Sequence, residues 1–215
     1  MINIIIVDDH PVLRSGLVQT INREPDLKII DECDNGEELI SKITENDYDV
    51  VVLDIDLPGR NGLEILKEIK ALKPKMPVLI FSSFPEQRYG VRAIRAGANA
   101  YLTKESDNKL LTETIRGIKG NKKKISPKLA EILADEINLA SDKLPHELLS
   151  DREFEVMRHI ALGKSTSEIA VILSLSINTI NTYRARILEK LGLDSNTQLA
   201  IYALENGLLD KFSPQ

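Results

Sequence analysis

The sequence predicts an α/β fold, a doubly wound five-stranded parallel sheet, followed by a small all-α unit of four helices. Three observations carry this expectation. Over residues 1–120, short runs of β-branched and apolar residues alternate with segments of helical periodicity, the signature of βαβ units. The alternation stops at Gly120-Asn121-Lys122-Lys123-Lys124. From 150 to 207, helix start and stop signals crowd the chain. The implied division is a first domain over 1–120, a linker with its own short helix over 121–148, and a second domain over 149–215.

The strand-like runs are Ile2–Val7, Leu27–Glu32, Val50–Asp54, Val78–Ser82 and Ala100–Leu102. Val50-Val51-Val52-Leu53 is continuously apolar and is soon followed by Pro58-Gly59, which fits a strand covered on both faces. It stops at Asp54, and ligands of open α/β sheets bind beyond the carboxyl ends of the strands. The first run ends in Asp8-Asp9. If the two strands are neighbours, these carboxylates converge with Asp54. Like charges so close raise one another's pKa unless a cation neutralises them, and oxygen donors suit Mg²⁺. The fourth run ends at Ser82 and the fifth is followed by Lys104. A hydroxyl and an ammonium are the groups that hydrogen-bond and neutralise phosphoryl oxygens, so Asp54 reads as a phosphate acceptor. His10, beside Pro11 at a helix start, reads as a loop residue without a role. After the turn Pro58–Gly62, Leu63, Leu66, Ile69 and Leu72 mark a helix face.

In the linker, Leu129, Ile132, Leu133 and Ile137 give an amphipathic pattern over 126–140, opened by Pro127 and broken by Ser141–Pro145. The lysine triplet 122–124 reads as a solvated loop.

In the second domain, Ser150-x-x-Glu153, Ser165-x-x-Glu168 and Ser195-x-x-Gln198 match capping boxes, Ser176 opens a further helix, and Gly163, Gly192 and Gly207 stand at helix ends. Helices are expected at about 151–162, 166–173, 177–191 and 196–206. The middle pair, joined by Leu173-Ser174-Leu175, reads as a helix-turn-helix. Ile180, Ile187 and Leu191 form one apolar face of the longer helix, with Tyr183 beside it. Opposite stand Asn178, Asn181, Thr182, Ala185 and Arg186, short or small side chains that let a helix enter a major groove, plus an arginine for base or phosphate. Arg184, Arg186 and Lys190 outnumber Glu189, making this helix locally basic.

Composition bounds these readings. Lys and Arg against Asp and Glu number 16 and 20 over residues 1–120, 5 and 5 over 121–149, and 7 and 8 over 150–215, so no segment is a basic arm. Nucleic-acid binding therefore needs a local patch and dimerisation. No apolar run approaches the roughly 20 residues of a membrane span, and Ile2–Val7 is too short for a signal peptide, so a cytoplasmic location and no membrane partner are expected. A single cysteine, Cys33, excludes an internal disulfide and a cysteine zinc site.

Residues 1–120 resemble the receiver domain of bacterial two-component response regulators, with a flavodoxin-like sheet, on Asp8-Asp9, Asp54, Leu57-Pro58-Gly59, Ser82 and Lys104. The resemblance implies that Asp54 takes a phosphoryl group from a histidine kinase. Mg²⁺ would be bound by Asp9, Asp54 and the main-chain carbonyl of Asp56, assisted by Asp8. Ser82 and Lys104 would bind phosphate oxygens, and Tyr101 would be the aromatic switch. One departure is Glu105-Ser106 after the lysine, where many receivers have proline.

Residues 149–207 resemble the LuxR/NarL-type DNA-binding domain on Leu149–Val156, Gly163-Lys164-Ser165-x-x-Glu168-Ile169-Ala170, Ser176-x-x-Thr179-Ile180 and Ile187-x-x-Lys190-Leu191-Gly192. This implies base-facing positions at Asn181, Thr182 and Ala185, phosphate-facing ones at Lys164, Ser165 and Thr179, and a dimer contact at Leu199, Ala200 and Ala203. Asn181 and Tyr183 stand where the family often has lysine and then histidine. Together the two halves imply a non-enzymatic transcriptional regulator acting as a homodimer on promoter DNA, with RNA polymerase as a further candidate partner. Asp54-x-Asp56 also resembles the nucleophile motif of haloacid-dehalogenase-type phosphatases, but Pro58 departs from it and the helix-turn-helix would be unexplained. A third reading, a receiver that only scaffolds a dimer, is disfavoured by the intact acids, Ser82 and Lys104.

Overall fold

The computed structural model describes residues 1–138 and 144–209, and the chain divides into two compact units, Met1–Asn138 and Leu139–Gln215. The first holds five strands, β1 (Ile2–Val7), β2 (Leu27–Cys33), β3 (Val50–Leu53), β4 (Val78–Ser82) and β5 (Ala100–Thr103). Helices α1 (Pro11–Asn22), α2 (Gly36–Glu45), α3 (Gly62–Leu72), α4 (Glu86–Arg95) and α5 (Asn108–Ile118) alternate with them. The strands pair in parallel in the order β2-β1-β3-β4-β5. All five expected strands form. β2 and β5 run one residue further than expected, while β3 ends at Leu53 and leaves Asp54 just beyond the ladder.

Side chains alternate across a strand, and here both sets are apolar. Ile4, Ile6, Val52 and Leu79 pack with Ile21 of α1 and Leu111 and Ile115 of α5 in one core. Ile5, Val51 and Ile80, of opposite parity, are equally buried, as are Leu39, Ile43, Leu66 and Ile69 of α2 and α3. Burial on both faces is why β3 reads as an unbroken apolar run. Each such side chain contributes roughly 1.5–3 kcal/mol of transfer free energy. Asn35, Asn61 and Asp107 cap α2, α3 and α5 through their side-chain oxygens.

The segment expected as a linker behaves differently from a free tether. After α5 the chain reverses through Gly120 and Asn121, both at positive φ, and runs beside β5, bridging Ala100 and Lys124. Helix α6 (Pro127–Asn138) then packs against α4 within the first unit. The sequence shows the apolar stripe of α6 but not the surface that covers it. The expected continuation of this helix to 140, and most of the Ser141–Pro145 break, lie outside the described residues.

In the second unit a 3-10 turn at Pro145–Leu148, too short for any periodicity to reveal, precedes α7 (Asp151–Ala161), α8 (Thr166–Ile172), α9 (Ile177–Leu191) and α10 (Asn196–Glu205). Ser150–Glu153 and Ser165–Glu168 form complete capping boxes. The third expected box is half formed: Ser195 accepts from the Gln198 amide, but the Gln198 side chain turns to the amide of Asp194. Gly163, Gly192 and Gly207 adopt positive φ at the ends of α7, α9 and α10. Among the described residues no helix is long and apolar enough to cross a membrane.

Candidate phosphoacceptor site and nucleic-acid interface

Because β1 and β3 are neighbours with Val7 opposite Leu53, Asp8 and Asp54 emerge side by side. Asp54 and Asp8 are each only 1% exposed. Asp54 Oδ1 accepts from the amides of Ile55 (2.6 Å) and Asp56 (3.3 Å), and Oδ2 accepts from Lys104 Nζ at 2.7 Å. The same ammonium lies 2.7 Å from Asp8 Oδ2. β5 can deliver this lysine because the Lys104 amide donates to the Ser82 carbonyl at 2.8 Å, tying together the ends of β4 and β5.

These contacts set the charges. Burial raises the Asp54 carboxyl from its usual 3.8 to about 6, Lys104 pulls it down and Asp8 pushes it up. Burial works against the Lys104 ammonium, but Asp54 and Asp8 outweigh it and hold its pKa above the ordinary lysine value. Asp54 thus carries a carboxylate whose charge is only partly compensated.

Asp8, Asp9, His10 and Asp54 each place a ligand atom within 4.8 Å of the others. His10 Nδ1 lies 2.7 Å from Asp9 Oδ1 but out of line for a hydrogen bond, which leaves that buried oxygen without a donor. A site with underserved carboxylate oxygens fits a hard divalent cation, as expected for Mg²⁺. His10, read from sequence as a bystander, therefore stands inside the cluster. The Asp56 side chain is exposed, in keeping with an expected role for its main-chain carbonyl rather than its carboxylate, and its amide donates to Asp54. A second residue that sequence reasoning passed over is Gly62, where a Cβ would collide with the main-chain carbonyl of Asp54. Its signal was present in the turn Pro58–Gly62, but the approach of that turn to the acid is a tertiary fact.

Ser82 is fully buried, and its hydroxyl accepts from the Phe84 amide at 3.4 Å. Tyr101 is 3% exposed, with its hydroxyl donating to the Phe84 carbonyl at 2.8 Å. Burial holds the Tyr101 phenol above its ordinary range.

In the second unit, Asn178, Asn181, Thr182, Ala185 and Arg186 are all exposed on α9, opposite the buried Ile180, Ile187 and Leu191, while Thr179 is half-buried. Lys164 and Ser165 are exposed at the start of α8. The Ser165 hydroxyl and amide both donate to Glu168, so its polar groups are engaged in the cap. Lys190 does not add to the basic face: it donates to Glu153 at 2.6 Å. Burial opposes the Glu153 carboxylate, and Lys190 with the Ser150 donors outweighs it to lower the pKa. Arg184, half-buried, donates its Nε to Asn196 Oδ1 at 2.7 Å, while Arg186 is exposed. Leu199 and Ala203 are buried at 0% exposure on α10, which packs against α7, so they serve the unit's own core. Ala200 is half-buried, and the outer face of α10 carries Ile201 and Leu204, 51% and 59% exposed.

An acid pocket at the carboxyl end of a parallel sheet, on one chain with a capped helix-turn-helix, defines a signal-responsive DNA-binding regulator. Residues 4–116 match the family described as Response regulator receiver domain, and residues 147–203 that described as Bacterial regulatory proteins, luxR family. The response regulator GacA of Pseudomonas viridiflava is 33% identical over 211 residues, covering 98% of this chain and 99% of that protein. The transcriptional regulatory protein LiaR of Bacillus subtilis (strain 168) is 32% identical over 211 residues, covering 98% and 100%. Among solved structures, a LuxR-family two-component response regulator from Aurantimonas sp. SI85-9A1 matches with a TM-score of 0.59 at 32% identity, covering 64% of this chain and 99% of that one. The chain belongs to the LuxR-family response regulators, the two-component transcriptional regulators that join a receiver to a LuxR-type DNA-binding domain.

Proposed function

We propose that this regulator accepts a phosphoryl group on Asp54 from a histidine kinase, with Mg²⁺ held by Asp9, Asp54 and the main-chain carbonyl of Asp56, assisted by Asp8, and that acylphosphate formation controls pairing and promoter binding. The observation that carries the reading is the buried Asp54 carboxylate bridged through Lys104 to Asp8, at 2.7 Å on each side. In the transfer, a carboxylate oxygen of Asp54 forms a bond to phosphorus as the bond from phosphorus to the donor's histidine nitrogen breaks. The leaving imidazole retains that electron pair and takes a proton from solvent. Lys104 moves from carboxylate to phosphoryl oxygens, and the Ser82 hydroxyl donates to another. When bound, Mg²⁺ supplies charge neutralisation among the acids and the incoming oxygens. Beyond this self-directed chemistry we assign no enzymatic turnover.

For the output, Asn181, Thr182 and Ala185 would face bases, with Asn178 and Arg186 on the same exposed side of α9 and Lys164 nearer a phosphate. Two copies on paired half-sites supply the affinity that one slightly acidic domain lacks. The outer face of α10, with Ala200, Ile201 and Leu204, is the side of that helix available to a second copy. RNA polymerase is the further partner, in the cytoplasm.

The test is intact mass and oligomeric state after incubation with Mg²⁺ and acetyl phosphate, for wild type and Asp54→Asn. An added phosphoryl group that the variant lacks, accompanied by dimers, is the expected result. A folded, metal-binding protein that is neither modified by acetyl phosphate nor by any histidine kinase would leave the first unit as a dimerisation scaffold.

A further inference from the structure

We propose that residues 121–138 form a strap on the first unit, anchored at one end of the sheet and latched near the other by a Ser126–Glu86 contact that phosphorylation opens. The proposal rests on Asp54 being the phosphoryl acceptor.

The anchor is Asn99, 1% exposed and just ahead of β5. Its Oδ1 accepts from the Val78 amide (3.1 Å) and Lys70 Nζ (3.0 Å). Its Nδ2 donates to Asn121 Oδ1 (2.9 Å) and the Lys122 carbonyl (3.0 Å), and its own carbonyl accepts from the Lys124 amide (2.8 Å). One buried side chain thus joins α3, β4 and the returning chain. It does so at the amino ends of the strands, the end of the sheet opposite Asp54. Nothing at Asp54 touches these bonds, so the anchor persists in either state.

The latch is of another kind. The Ser126 hydroxyl lies 2.9 Å from both carboxylate oxygens of Glu86, and it accepts from the Leu129 amide at 3.0 Å, capping α6. One turn along, Leu129 lies over Gly90 of α4, where an added Cβ would stand 2.9 Å from its Cδ1. Glu86 opens α4 directly after the short loop that follows Ser82 at the end of β4. Phe84, two residues earlier, accepts from the Tyr101 hydroxyl and donates its amide to the Ser82 hydroxyl. A phosphoryl group on Asp54 draws the Ser82 hydroxyl toward its own oxygens, and the Phe84 amide that donates to that hydroxyl is drawn with it, so that Phe84–Glu86 shifts together with Tyr101. The Ser126 contact is the first bond of the strap that this shift reaches. Unlike the anchor, it depends on one pair of side chains.

The device gives the acceptor a mechanical line to the chain that leads toward the second unit. With the latch closed, α6 is held on α4. With it open, the tether between the units starts near Lys124 instead of at the end of α6, and its added length changes how the second units of two copies can pair.

Hydrogen exchange by mass spectrometry on the full chain tests this, with intact mass measured on every sample. Wild type, Glu86→Ala, which leaves the Ser126 cap on α6 intact, and Ser126→Ala are compared with and without Mg²⁺ and acetyl phosphate. In unmodified Glu86→Ala, amides 130–138 are expected to exchange about tenfold faster than in wild type, the effect of losing one charge-assisted hydrogen bond of ordinary net strength. Phosphorylated wild type should reach that same rate, while the Lys124 amide stays protected throughout. If α6 in both variants is as protected as in wild type, the latch does not exist. Mass-verified phosphorylation with α6 rates unchanged would leave the latch uncoupled from the acceptor and overturn the proposal. Absence of any mass shift in wild type would instead count against Asp54 as acceptor, and the unmodified variants would still decide the latch.

Discussion

At the residue scale, the chemistry hangs on the balance around Asp54. Its carboxyl is raised by burial to about 6, so in the metal-free protein its ionisation is linked to pH. The folded state binds more protons than the unfolded one between the unfolded value near 4 and about 6, so this group's contribution to stability falls as pH rises through that window. Above it, the ionised carboxylate costs the fold about 3 kcal/mol for a shift of roughly two units. On the proposed reading the nucleophile is the Asp54 carboxylate, so labelling by acetyl phosphate at low Mg²⁺ should rise through about pH 6, and saturating Mg²⁺ should move the midpoint down. A rate flat from pH 5 to 8 without added metal would contradict the raised pKa. Asp54, Asp8, Asp9 and Lys104 were all legible in the sequence, because each comes just after a strand and strand ends in such sheets meet; Ser82 was legible as the last residue of β4. His10 and Gly62 were not, since their importance lies in which side chain or carbonyl they approach.

At the level of elements, caps explain where the second unit's helices begin. In the box at α8, Ser165 and Glu168 satisfy each other's backbone amides, at 3.2 and 2.7 Å. Ser165→Ala should lower stability by about 1 kcal/mol, Glu168→Ala by a similar or smaller amount, and the double variant by less than the sum, because each half supports the other. At α10 the Gln198 side chain serves Asp194 instead, so Ser195→Ala and Gln198→Ala should be additive. Urea unfolding followed by circular dichroism on the full chain distinguishes the two cases. The motif S-x-x-E/Q was readable from sequence at all three sites. Whether the longer amide reached its own cap or the residue before it depended on local side-chain geometry. The same limit applied to α9, whose exposed face was read in full, whereas the tie between Lys190 and Glu153 required α7 to be placed beside it.

At the scale of the whole molecule, charge sets the terms of DNA binding. Residues 150–215 carry 7 basic and 8 acidic side chains, and Lys190 is engaged with Glu153. One copy is therefore expected to make few phosphate contacts, and operator affinity should collapse when dimers are split. Fluorescence anisotropy on paired and single half-sites measures this; equal affinity for both would count against paired binding. Arg186→Ala should weaken operator binding, and if the arginine meets a phosphate the slope of log K against log salt should fall by about 1.

The five strands with their intervening helices, Asp54 at a strand end, its acidic neighbours, the lysine after β5 and the four helices of the second unit were determined by local signals: alternating periodicities, strand-end carboxylates and capping motifs. These act over a few residues and so are written in order along the chain. The tertiary structure alone decided what long-range packing decides. It docked α6 on α4, joined the returning chain to β5 through Asn99, put Leu199 and Ala203 inside the second unit's core, and drew His10 into the acid cluster. An amphipathic stripe or a polar side chain announces that it needs a partner. Which partner it finds depends on residues that are distant in sequence and become neighbours only once the sheet and the helices have packed.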